Sequence, residues 1–155
     1  MLLVSLEGTG KPRMNQTLLP KTLSPQAALI YTMVLVSAAE GDMSEPGMVI
    51  MGDIINHLPI FRGFDVSHLA ETANACADLL ADEDGIDQAL ALIKDALPTR
   101  LRETAYALAC DVAAADGEAS QEELRFLEML RDELEIERLS AAAIERGARA
   151  RYRFG

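Results

Sequence analysis

The chain has 155 residues, half of them hydrophobic, with 25 acids against 14 bases and a formal net charge of −11. That length suits one domain with a real core, and that charge disfavours nucleic acid and free oxyanions while favouring metal cations or basic partners. Aromatics make up only 5% and tryptophan is absent, so alanine, leucine and methionine carry the apolar content, which favours helix over strand.

Residues 1–22 carry Gly8, Gly10, Pro12 and Pro20 without sustained periodicity, and read as an N-terminal arm preceding one helical domain over 23–155. The apolar start lacks a basic flank and a cleavage site, so it is not a signal peptide. The longest uncharged run lies between Lys21 and Glu40; with Ser24, Pro25, Gln26, Thr32 and Ser37 it is too short and too polar to span a bilayer. A soluble, cytoplasmic protein with no membrane span is expected.

Ser24 and Pro25 open the first helix as N-cap and first helical residue, and nothing charged follows until Glu40. A helix apolar nearly all round must be surrounded by protein. Gly41 ends it and Ser44 caps a second helix that stops before Pro59. Asp65 or Ser67 caps a third, with Leu69, Ala73, Cys76, Leu79 and Leu80 on one face. A fourth runs from Ile86 to Leu97 and is stopped by Pro98. The fifth, Ala-rich like the first, ends at Gly117. Ser120 and Glu123 form the capping box of a sixth, whose buried stripe is expected to be Leu124, Leu127, Leu130 and Leu134. A last helix spans about Glu137 to Tyr152. No segment alternates with period two between turn signals, so the fold class is all-α, a single globular bundle of about seven helices in two partially repeated halves.

The repeat is local and acidic. "AAEGDMSE" at 38–45 is echoed by "AADGEASQ" at 114–121; Ala39 matches Ala115 and Ser44 matches Ser120, a constant 76 residues apart. Capping and chain reversal explain the serines and glycines, and acids near helix N-termini favour the macrodipole. Asp111 also has an ordinary explanation, on a narrow wet face with Arg100, Glu103, Ala107 and Ala114. Capping does not explain acids on both sides of each glycine. Nor does it explain Glu40 and Asp116 near helix C-termini, where the dipole resists an anion and calls for a basic side chain or a metal ion.

The second corner is similar to the latter half of a calcium-binding helix–loop–helix loop, but Val112 and Ala114 stand where early carboxylate ligands belong, and the first corner has Gly47 in place of the closing glutamate. One corner supplies too few oxygens for calcium, whereas two side by side would suffice. Whether they meet depends on the axis relating the halves, so a structural role and a metal site both stay open.

These residues resemble the TerB-like tellurite-resistance family. The segment Ala114, Ala115, Asp116, Gly117, Ser120, Glu123 and Leu124 carries the likeness most specifically, within a region of roughly 23–151. The resemblance implies a small all-helical domain with clustered corner acids, a link to tellurite and stress resistance, and action through protein partners; a related domain begins certain DnaJ-type co-chaperones. By position, the implied divalent-cation ligands (Ca, Mg or Mn) are Glu40, Asp42, Asp116, Glu118 and Glu123, with Asp111 as a looser addition. The Pro46-Gly47 departure weakens the first corner. A metal-independent scaffold or co-chaperone-like interaction module is the alternative.

Reduction of tellurite would need paired thiols or a redox cofactor, and neither CxxC nor GxGxxG occurs, so a non-enzymatic role is expected. Cys76 and Cys110 read as buried, reduced thiols. His57 and His68 lack zinc-ligand spacing. Arg146, Arg149, Arg151 and Arg153 polarise the C-terminal end, which could grip an acidic partner, pack on an acidic corner, or simply complement the helix dipole.

Overall fold

The computed structural model describes residues 22–154 apart from three acids; residues 1–21, Glu40, Asp42, Asp116 and Gly155 lie outside the described residues. The expected N-terminal arm falls there. The described chain forms seven α-helices: α1 (Pro25–Ser37), α2 (Glu45–His57), α3 (Leu69–Leu80), α4 (Gly85–Ala96), α5 (Arg102–Ala114), α6 (Gln121–Glu133) and α7 (Arg138–Arg151). Short 3-10 turns cover Pro59–Phe61, Val66–His68 and Thr99–Leu101, and no strand occurs among the described residues.

Helix α1 is the axis of the bundle. Ser24 Oγ accepts from the Ala27 amide, and every residue from Ala28 to Ser37 is buried. Thr32 is tolerated there because its hydroxyl donates to the Ala28 carbonyl at 2.8 Å. Burying side chains such as Leu29, Ile30 and Met33 contributes about 1.5–3 kcal/mol each. Helix α1 packs on α5, α3 and α4, while α5, the second Ala-rich helix, also packs on α7, α2 and α6. The α5 face with Glu103, Ala107, Asp111 and Ala114 is its less buried side, as the 100° spacing implied, and Arg100 falls in the 3-10 turn before the helix.

The outer helices follow their stripes, with one correction. On α6 the buried residues are Glu123, Phe126, Leu127 and Leu130, continued by Leu134, whereas Leu124 is 47% exposed. At 100° per residue Leu124 lies a quarter-turn from the centre of that stripe, and Glu123 lies on it. On α3, Cys76 and Leu79 are buried, while Leu69, Ala73 and Leu80 are half-buried against the core. Asp65 caps the turn leading into α3. Gln26 donates to the Ile60 carbonyl at 2.9 Å, tying the start of α1 to the α2–α3 connection.

Candidate functional site

The turn and serine-cap bonds of the corner recur in both copies. Gly41 donates to the Ala38 carbonyl and Gly117 to the Ala114 carbonyl, both at 2.9 Å; Ala39 bonds Val36 as Ala115 bonds Val112. Both glycines adopt the left-handed region, φ 117° and φ 100°, where any Cβ is strained. Ser44 Oγ accepts from the Gly47 amide and Ser120 Oγ from the Glu123 amide, each at 3.1 Å.

The copies differ in packing at Ser37 and Gly47, which match Ala113 and Glu123. In the second, Glu123 is only 8% exposed and accepts from the Ser120 amide at 2.8 Å, completing the capping box. In the first, Gly47 stands there and Ser37 replaces Ala113. A Cβ on Gly47 would lie 2.9 Å from Ser37 Oγ and 3.0 Å from Ser44 Oγ. The Ser37 hydroxyl is buried and has no hydrogen-bond partner.

Both corners lie at one end of the bundle. A Cβ on Gly47, just beyond the first, would touch Val112, just before the second, at 3.7 Å. Ala38 and Ala39 of the first corner share a cavity of about 960 Å³ with Gln121 and Glu122 at the start of α6. The axis relating the halves therefore runs along the central helices.

The anticipated ligands fall as follows. Glu40, Asp42 and Asp116 lie outside the described residues. The helices end before them, α1 at Ser37 with Ala38 as cap and α5 at Ala114 with Ala115 as cap. Glu118 is exposed, and Glu123 serves the capping box. Asp111 Oδ1 accepts from Arg151 Nη2 at 2.5 Å. Among the described residues, no group of three or more His, Cys, Asp or Glu gathers to hold a metal ion.

The C-terminal arginines divide in their roles. Arg151 pairs with Asp111, which raises the guanidinium's pKa. Arg149 and Arg153 line a cleft of about 760 Å³ between α5, α6 and α7, together with Glu118 and Phe154. Arg146 is exposed. Deeper in the same cleft, the Tyr106 hydroxyl donates to Glu145 Oε2 at 2.5 Å and Arg131 approaches that oxygen at 3.5 Å. Sequence reasoning missed this trio because its members come from three helices with no shared spacing. Burial, then the bond to Glu145, raises the Tyr106 pKa. Burial also pushes the Cys76 and Cys110 thiols up to about 12, and both are free. His57 Nδ1 lies 2.8 Å from the Asp53 carbonyl of its own helix.

No described helix is long and apolar enough to cross a membrane. Neither a curated protein nor a solved structure gives a significant match. The family model described as "Tellurite resistance protein TerB" matches residues 26–146, more than three quarters of the chain, from within α1 to within α7. The chain therefore belongs to the TerB tellurite-resistance family.

Proposed function

We propose that this tellurite-resistance-associated domain is non-enzymatic, binds a divalent cation through its acidic corners, and acts through protein partners. The observation that carries this reading is the placement of both corners at one end of the bundle, joined by the Gly47–Val112 approach. A hard cation such as Ca²⁺ gathers six to eight oxygens, more than one corner supplies. The sequences of the two adjacent corners carry Glu40, Asp42, Asp116 and Glu118, and the unpartnered Ser37 hydroxyl ends α1 just before the first. The net charge of −11 draws cations toward that end and repels tellurite itself, so the domain serves resistance indirectly.

Calorimetric titration with Ca²⁺, Mg²⁺ or Mn²⁺, paired with a thermal melt, tests this. Saturable heat and a rise in Tm at millimolar ion are expected, with Asp116→Asn weakening both; an ion-indifferent protein ends the cation reading.

A metal-independent interaction module remains the second reading, favoured by the half-apolar cleft between α5, α6 and α7. Methionine-rich surfaces adapt to varied partners, but the methionines here supply little such surface. Met33 and Met51 are buried and Met43 half-buried, leaving Met48 exposed at 53%. A partner retained equally with and without chelator would decide for this module.

A further inference from the structure

The segment following α7 lies on the second corner. The Phe154 ring rests against Gly117 so closely that the glycine has no room for a Cβ. The ring is 75% exposed, so burial does not hold it there. Beside it is the ion pair of Arg151 with Asp111, one helical turn before the corner. Arg149 and Arg153 stand on the wall of the same cleft as Glu118. In a chain with 14 bases, three arginines within five residues converge on this one acidic end.

Such a contact is reversible by nature, because an ion pair this near water contributes at most about 1 kcal/mol. Asp111 Oδ1 is taken by Arg151, so a cation that takes that oxygen displaces the guanidinium. A cation drawn to the second corner and the guanidinium therefore compete for one field.

We propose that Arg149–Phe154 is a built-in cationic strap over the second corner, displaced when a divalent cation binds there. This rests on the cation reading above and adds its regulation. Linkage makes the effect reciprocal: the docked strap weakens cation binding by the factor with which the cation loosens the strap. Release lifts Phe154 from Gly117 and opens the cleft between α5, α6 and α7 at that edge, so cation binding becomes a change in surface that a partner can read.

The chain has no tryptophan, so Phe154→Trp places a single reporter on the strap. Its anisotropy is followed during titration with CaCl₂, MgCl₂ or MnCl₂, alongside calorimetry, in three backgrounds: Phe154→Trp alone, with Arg151→Gln, and with Arg138→Gln. Arg138 is exposed at the other end of α7, about 20 Å away, and controls for net charge. The strap predicts that Arg151→Gln lowers anisotropy without cation, and that cation lowers it in the parent. It also predicts a Kd about three- to fivefold tighter in Arg151→Gln than in the parent, with a smaller change in Arg138→Gln. Phe154→Ala, read by calorimetry alone, should shift Kd in the same direction. Heat only in Arg151→Gln would also support the strap, as complete masking. Binding heat with unchanged anisotropy, or equal Kd shifts in both arginine variants, overturns the strap while leaving the cation reading intact. Absence of heat in every variant overturns both.

Discussion

At the scale of single residues, the decisive exchange is Ser37 and Gly47 in one half for Ala113 and Glu123 in the other. The glycine is needed because two hydroxyls, Ser37 Oγ and Ser44 Oγ, crowd the space a Cβ would take. Gly47→Ala should therefore destabilise by about 1–2 kcal/mol through overpacking, although alanine is the better helix former. Ser37→Ala removes a buried hydroxyl that has no partner, so it should be neutral or stabilising. The double variant should recover most of the loss, and urea denaturation of the three proteins measures it. Equal losses in the single Gly47→Ala and the double variant would locate the strain elsewhere. The sequence displayed Gly47 as a departure from the repeat; it could not display that Ser37 faces it, since that contact joins the end of α1 to the start of α2.

At the scale of elements, caps and stops were legible because each is a local hydrogen-bond requirement. Ser24, Ser44 and Ser120 cap the helices they precede, and Pro25 sits at a first helical position. The end of α6 was less marked: Glu135, not glycine, takes the left-handed conformation there, φ 57°. Its carboxylate lies 3.5 Å from Lys94 of α4 and 3.6 Å from Arg102 at the start of α5. Glu123 has two candidate roles that one substitution separates. Glu123→Gln keeps an acceptor for the Ser120 amide and should hold stability within about 0.5 kcal/mol, while Glu123→Ala should lose about 1 kcal/mol with the cap. If Glu123 also ligates a cation, Glu123→Gln lowers cation affinity at unchanged stability; unchanged affinity confines it to capping. Chemical denaturation and calorimetry on the same samples give both answers.

At the scale of the whole molecule, the titratable groups inside the bundle respond together. Burial pushes the Cys76 and Cys110 thiols from 9.0 to about 12 and also raises Tyr31 and Tyr106. The unfolded chain releases these protons at lower pH than the folded one. Their contribution is complete below the unfolded thiol's pKa of 9.0 and is lost as pH climbs to about 12. The urea midpoint should fall steadily between about pH 9 and about pH 12, and more gently in Cys110→Ala. A midpoint flat across that range would mean these groups are less shielded than their burial implies. A thiol reagent should likewise react slowly with native protein and fast after unfolding.

Taken alone, the sequence determined what depends on neighbours along the chain: the all-α class, a buried α1, the caps, and one corner written twice at an offset of 76 residues. These follow from periodicity and local bonding, which carry their own register. Only the tertiary structure decided that both corners share one end, that Arg151 reaches Asp111, and that Tyr106, Arg131 and Glu145 meet. Those outcomes depend on how α1 and α5 lie against each other and on where α7 ends. Helix packing sets both, and no spacing within a single segment records them.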